Sequence, residues 1–321
     1  MAAPPRKRIA VLGSLNMDLV PYVPHHPLPG ETLTSSRFGT APGGKGANQA
    51  AAVGRLSRSP DALADGDVDV AMLGAVGSDP YADVLRSSLA SCGVATDGLR
   101  VLDGQRTGIA IIIVDEPSGQ NRIILSPEAN HALVPADFAA LPDPRPDLLI
   151  MQLEIRLDTV LQALAAAKAA SVPVLLNPAP AQTLPLDAYV GLAHLILNET
   201  EAAILAGCPE SDLDDEPGLQ RVASLFLERG VANVVVTLGG RGVYYATKAG
   251  KSALVPAHKV DVVETTAAGD TFVGSYALAA VHASPDDFDI DGAVKAANRA
   301  AAITVSRRGS QLSIPWKDEL E

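Results

Sequence analysis

The sequence predicts an α/β fold, a mostly parallel sheet with helices on both of its faces, and three observations predict it. Short β-branched runs alternate with amphipathic or alanine-rich windows along the chain, the order that builds a parallel sheet beneath helices. Aromatic residues make up only 4%, so the core must be Ala, Val, Leu and Ile, a mix that suits helices on buried parallel strands. A hydrophobic fraction of 47% and a mean hydropathy of +0.18 supply an ample core and exclude disorder as the main state. The length, 321 residues, fits roughly two domains or one large α/β domain.

Taken in order, strands are expected at 9–13, 68–76, 109–114, 148–153, 172–176, 195–197 and 234–238. Helical windows cover 47–56, 81–91, 157–170 and 220–229, and a further helix is read over 271–283. In such a sheet ligands lie beyond the carboxyl ends of the strands. Two segments break the rhythm. Residues 20–40 carry Pro21, Pro24, Pro27 and Pro29, and 108–126 read as two strands joined at Glu116-Pro117-Ser118-Gly119. Neither has a helix of its own. They are read as strands of a small accessory sheet, a lid, within about 19–41 and 106–126, with ordinary surface hairpins as the alternative. Residues 57–67 form a polar loop and 209–218 an acidic loop that opens a helix.

Charge excludes other classes. With 25 Lys and Arg against 37 Asp and Glu, the net charge of −12 repels nucleic-acid backbones and anionic lipid, although a local basic pocket for a small anion stays open. Cys92 and Cys208 are too few for a disulfide framework and lack C-x-x-C spacing, so they read as reduced cytosolic thiols. No stretch is long and apolar enough to span a bilayer, and the apolar run at 9–12 reads as a strand, not a signal-peptide core. Arg6-Lys7-Arg8 reads as a solvated basic tail or a nuclear import patch. The expected location is the cytoplasm, with the nucleus open.

The strongest chemical signal is Thr265-Thr266-Ala267-Ala268-Gly269-Asp270-Thr271-Phe272, where a loop of small residues opens a helix. Free N–H groups at a helix start make an anion site, and small residues let a ligand approach the backbone. Asp270 there is either a helix cap or a base that takes a proton from an attacking hydroxyl during phosphoryl transfer. Pro42-Gly43-Gly44-Lys45-Gly46-Ala47-Asn48-Gln49-Ala50 is no P-loop, because Gly follows the lysine and the glycine spacing differs. It reads either as a tight turn or as a loop whose Lys45 and Asn48 donate to sugar hydroxyls. Asn16 and Asp18, after the first strand, grip hydroxyls or form an Asx turn. Asn198 and Glu201 share one face of a starting helix, where a carboxylate and an amide orient Mg²⁺ waters and phosphate oxygens. Thr237-Leu238-Gly239-Gly240-Arg241-Gly242 is a candidate nucleotide cradle. The six histidines form no H-E-x-x-H motif or Cys/His cluster, and neither a G-x-S-x-G elbow nor a G-x-G-x-x-G after the first strand is present.

Together these segments resemble the ribokinase branch of the PfkB sugar kinase family, nearly end to end, from Val11-Leu12-Gly13-Ser14 to Ser313-Ile314-Pro315-Trp316. Gly43 to Ala50 looks like the family's sugar-binding signature and Ala267 to Phe272 like its catalytic signature. Met151-Gln152-Leu153-Glu154, Leu176-Asn177-Pro178-Ala179-Pro180 and Asn198-Glu199-Thr200-Glu201 fall between them in the family's order. The resemblance implies a three-layer α/β/α fold with a β-sheet lid, a single domain over 1–321, and ATP-dependent phosphorylation of D-ribose at O5. It implies Asp270 as general base, with the amides of Ala267, Ala268 and Gly269 as anion hole. It implies sugar binding by Asn16, Met17, Asp18, Gly44, Lys45, Gly46, Ala47, Asn48 and Glu154. ATP contacts fall to Asn198, to Thr237, Leu238, Gly239, Gly240, Arg241 and Gly242, and to Gly269, Asp270 and Asn298. Mg²⁺ is supported indirectly by Glu201, and K⁺ sits near Glu264, Thr266, Thr304, Arg307, Gly309 and Ser313. Glu264 departs from the family's usual Asp, and its longer side chain must fold back to offer an oxygen. Ala82 stands where many members carry Gly, a difference of backbone packing. A homodimer through the lid is expected. Another sugar or nucleoside kinase (for deoxyribose, fructose or adenosine) is the alternative within the family, and a non-catalytic sugar-binding regulator the alternative outside it.

Overall fold

The first strand sets the architecture of the computed structural model, which describes residues 5–284 and 287–320. In β1 (Lys7–Leu12), Ile9 and Val11 join one buried cluster while Ala10 and Leu12 join another. The two-residue period of a strand thus feeds a separate core on each face of the sheet. The remaining elements follow as β2 (Asn16–Val23), β3 (Arg37–Gly43), α1 (Lys45–Leu56), β4 (Val68–Gly77), α2 (Pro80–Ser91), β5 (Val94–Ala95) and β6 (Leu99–Leu102). Next come β7 (Gly108–Asp115), β8 (Asn121–Ser126), β9 (Leu148–Met151), α3 (Leu157–Ala169), β10 (Val174–Leu176), β11 (His194–Asn198), α4 (Glu199–Ala206) and α5 (Glu216–Glu228). The described chain closes with β12 (Asn233–Thr237), β13 (Val243–Thr247), β14 (Ser252–Val255), α6 (Ala268–His282) and α7 (Ile290–Val305).

The large sheet runs β14-β13-β12-β11-β10-β9-β1-β4-β5, with β6 also pairing β4. Every pair from β12 to β5 is parallel, while β13 and β14 are antiparallel additions at one edge. Residues of α1, α2, α6 and α7 fill the core on one face, and residues of α3, α4 and α5 fill the other. This is the three-layer arrangement expected. Aspartates start several helices: Asp79 accepts from the Tyr81 and Ala82 amides, Asp215 from Gly218 and Asp289 from Gly292. No helix among the described residues is long and apolar enough to cross a membrane.

A separate four-stranded sheet, β3-β2-β7-β8, carries the two segments without helices. Its strands reach from 16 to 43, beyond the 19–41 read from sequence, because β2 begins only four residues after β1 ends. Asn16, Met17 and Asp18 are therefore strand residues of the small sheet, not a loop closing β1. α6 starts at Ala268, three residues before the expected 271. The sequence reading also left β13, β14 and α7 unassigned. The two strands are antiparallel edge additions with no helix between them, outside the strand–helix alternation that marks the others, whereas the Asp289 cap of α7 was a usable start signal.

Candidate active site

The parallel strands end on one edge, and polar residues follow them there. Ser14 follows β1, Gln152 and Glu154 follow β9, Asn177 follows β10, Asn198 ends β11 and Thr237 ends β12. α6 meets this edge by its N-terminus. Ala267, just ahead of it, sits in the left-handed region at φ 61, which costs a residue with a Cβ roughly 1 kcal/mol or more. The Ala268 N–H donates to the Thr265 carbonyl at 3.3 Å, so that member of the expected anion hole is already engaged. The N–H groups of Gly269 and Asp270 have no acceptor among the described residues and face outward with the helix dipole.

Asp270 is buried in the first turn of α6 and caps nothing, so the cap reading falls. Its Oδ2 accepts from Asn48 Nδ2 at 3.1 Å and its Oδ1 from Gln49 Nε2 at 3.0 Å. Glu154 gathers the β1–β2 turn and the glycine loop: it accepts from Ser14 Oγ at 2.6 Å, the Lys45 amide at 3.0 Å and Asn16 Nδ2 at 3.5 Å. Gly46 lets that loop seat on β1, because a Cβ there would lie 2.6 Å from Gly13 C and Ser14 N; the Ala47 amide then donates to Ser14 O at 2.9 Å. Gly44, at φ 89, turns the chain into α1. Met17 is buried in β2, and Asp18 packs beneath Gly43.

The electrostatics follow from this crowding. Burial, reinforced by Glu154 and Asp270, pushes the Asp18 carboxyl up to about 7. Burial pulls the Lys45 ammonium down, but Asp270, Glu154 and Glu201 outweigh it and hold it above the ordinary lysine value. Burial raises Glu201 against the opposing pull of the Asn198 amide and Lys45.

On the other side of the cleft, Asn198 caps α4 in a reciprocal box. Its Oδ1 accepts from the Glu201 amide at 2.7 Å, while Glu201 accepts from the Asn198 amide and Nδ2, each at 2.9 Å. Lys45, Asn198, Glu201, Thr237, Gly269 and Asp270 line one cavity of about 210 Å³. Leu238, Gly239, Gly240, Arg241, Gly242 and Asn298 lie outside that lining. The turn at 239–242 is fixed from behind, where Arg241 donates to the carbonyls of Leu213 and Asp214 and pairs with Glu199. Asn298, on α7, donates to Pro256 O at 2.8 Å.

A second cavity of about 920 Å³ separates the inner face of the small sheet from 262–266 and 308–310. Asp18, Glu264, Thr266 and Gly309 line it. The Val263 and Glu264 amides donate to Val305 O, and Gly309 N–H donates to Glu264 Oε2 at 3.0 Å, which brings these segments together. Thr304 Oγ1 bonds Thr271 Oγ1 at 3.0 Å, Ser313 Oγ donates to Ser310 O at 2.8 Å, and the Arg307 guanidinium turns away to Glu319. No cluster of three or more His, Cys, Asp or Glu suited to a metal occurs among the described residues.

Sequence reasoning missed five polar residues of the site. Gln49, Gln152 and Asn177 connect to Asp270, Gln311 donates to Asn48 Oδ1 at 3.2 Å, and Asn130 donates to Asn16 Oδ1 at 2.8 Å. Gln49 stood inside the glycine-loop motif, and Gln152 and Asn177 follow strand ends, so position alone could have marked them.

A buried carboxylate beside open helix-start amides, with Lys45 held by the charges of three carboxylates, is an arrangement suited to phosphoryl transfer. The family model described as pfkB family carbohydrate kinase matches residues 6–317, and the chain belongs to that family. A ribokinase from Schizosaccharomyces pombe is 43% identical over 96% of this chain and 94% of its own. A deoxyribokinase from Salmonella typhi is 35% identical over 96% of this chain and 95% of its own. The solved structure of Arabidopsis thaliana ribokinase complexed with ribose and ATP superposes with a TM-score of 0.85 at 27% identity, covering 98% of this chain and 97% of the other.

Proposed function

We propose that the protein transfers the γ-phosphoryl group of ATP to O5 of D-ribose, giving D-ribose 5-phosphate and ADP. The observation that carries this reading is the placement of Asp270, whose carboxylate sits at the open amides of α6 and lines one cavity with Lys45. Asp270 accepts the proton of the primary hydroxyl as the phosphorus–oxygen bond forms, while the Gly269 and Asp270 amides and Lys45 stabilise charge on the transferring group. Asn16, Asp18, Asn48 and Glu154 receive the sugar, with Met17, Gly44, Gly46 and Ala47 shaping its wall. The turn 237–242, with Asn198 and Asn298, receives the nucleotide, and the small sheet serves as lid.

The donor set fits the expected ions. Both Glu201 oxygens already accept from Asn198, so Glu201 would hold Mg²⁺ through water, and the ion supplies charge neutralisation on phosphate oxygens. Glu264, Thr266, Thr304, Arg307, Gly309 and Ser313 offer oxygens on two joined segments that would hold K⁺. A small sugar suits the lid better than a nucleoside. Tyr22 is its only aromatic on the inner face, and the Arg37 guanidinium already stacks on that ring, 3.7 Å from its centroid. Phe38, Ile111 and Ile124 are exposed on the opposite face, an apolar row that suits a second lid in a homodimer.

The test is ADP release with ATP and Mg²⁺ against ribose, deoxyribose, fructose and adenosine, with and without K⁺, on protein sized by sedimentation. Ribose is expected to give the highest kcat/KM, K⁺ to raise it, and the protein to sediment as a dimer. Absence of ADP release with any of the four would end the kinase reading. A preference for deoxyribose would replace the substrate.

A further inference from the structure

Asp270 is the end point of a chain of amides whose polarity is dictated from the backbone outward. The Ile196 carbonyl can only accept, so Asn177 turns Nδ2 toward it, at 2.9 Å. Asn177 Oδ1 then faces Gln49. Together with Asp270 Oδ1 it puts two acceptors around one nitrogen, Gln49 Nε2, each at 3.0 Å. Gln49 must therefore present its NH₂ group there, and both of its hydrogens are used. Its Oε1, on the far side, accepts from Gln152 Nε2 at 2.6 Å. Turning any of these amides over would set oxygen against oxygen.

Gln152 supplies an independent observation. Its Oε1 is buried with no hydrogen-bond partner among the described residues, packed where a side chain on Gly13 would otherwise stand. Burying an amide oxygen away from any protein donor is unfavourable. That cost is tolerated in the one orientation that directs the Gln152 NH₂ at Gln49.

The other carboxylate oxygen is served separately. Asn48 donates to Asp270 Oδ2, and its own Oδ1 accepts from Gln311, whose Oε1 in turn accepts from Ser88. Two donors from consecutive residues of α1 thus hold the two oxygens of one carboxylate and fix its plane. An ionised carboxylate has about four lone-pair sites, so two remain for a substrate hydroxyl.

We infer that Gln49, oriented by Asn177 and Gln152, is a positioning residue of the phosphoryl transfer, aiming the Asp270 carboxylate so that its remaining lone pairs meet the sugar hydroxyl. The inference rests on the kinase reading above.

The test compares kcat and KM of wild type, Gln49→Leu and Gln49→Glu with ribose and ATP, with ribose and ATP binding by calorimetry and thermal unfolding alongside. Wild type without turnover would remove the kinase reading and this inference with it. Given wild-type turnover, Gln49→Leu is expected to lower kcat about tenfold or more while both dissociation constants stay within about threefold. Gln49→Glu, which keeps the shape but sets an oxygen against Asp270 Oδ1, should lower kcat at least as far. A folded Gln49→Leu protein with wild-type kcat would overturn the inference while leaving the kinase reading intact. If Gln49→Leu does not fold, Gln152→Leu carries the test, because it frees the Gln49 amide without touching Asp270. The same loss of kcat with retained dissociation constants is expected, and a wild-type kcat overturns the inference.

Discussion

The two halves of the cleft are built by different means. The half assigned to the sugar is made of side chains that satisfy one another: Glu154 is bonded to Ser14, Asn16 and the Lys45 amide, and Asp270 to Asn48 and Gln49. The half assigned to the nucleotide has fixed parts too, the Asn198–Glu201 box and Gly242, where a Cβ would collide with Val255 O, but much of it is backbone beside open space. A Cβ added at Gly239, Gly240 or Gly269 would meet nothing within 4 Å. The difference teaches where specificity and tolerance reside. In the first half a substitution disturbs a network that the protein itself completes. In the second, at Gly240 or Gly269, it disturbs only what arrives from outside.

Two alanines break that comparison most directly. Gly46→Ala, on the sugar side, forces a Cβ into backbone at 2.6 Å and is expected to cost about 1–3 kcal/mol of stability, read as a lowered Tm. Gly269→Ala, in the first turn of α6, should leave Tm unchanged or slightly raised, since alanine is the better helix former. Yet it should lower kcat/KM for ATP by about 10², as a methyl group enters the space beside the open amides. Equal Tm losses in both would contradict the division.

A smaller effect sharpens it. Asp18 titrates near 7 because it is buried beside Glu154 and Asp270, so below that pH it is largely neutral. Sugar hydroxyls donate best to the ionised form, so binding expels the proton. Affinity is therefore full above about 7 and is lost as pH falls through it, by up to about tenfold per pH unit. Calorimetric titration of ribose at pH 8 and pH 6 reads this, with weaker binding expected at pH 6. In Asp18→Asn the affinity should be low and flat with pH, while ATP binding follows neither change.

Much of this was legible in the sequence, and the illegible part has a physical reason. Strand–helix alternation marked β1, β4, β9 and β11 because each is a short apolar run bounded by polar turns. Asp270, Lys45 and Glu201 stood out because small residues or strand ends surround them. The start of α6 was misplaced because the turn that begins it is formed by Ala267 in a left-handed conformation, which no propensity assigns to alanine. The network around Asp270 was invisible because Gln49, Gln152 and Asn177 are brought to it from more than 90 residues away; the Gln49–Asp270 bond alone spans 221 positions. Spacing reports neighbours along a helix or strand, not side chains that meet across an edge.

The most direct measurement is ribose binding and single-turnover phosphoryl transfer on the same preparation of Asp270→Asn, beside wild type. Asparagine preserves the side chain's shape and removes its capacity as a base. Retained fold and ribose binding, with Tm lowered because the new NH₂ group faces a donor, Asn48 Nδ2 or Gln49 Nε2, and the rate of ADP formation down by about 10²–10⁴, is the predicted result. A rate within a few-fold of wild type would contradict the assignment of Asp270, and with it the account of the cleft.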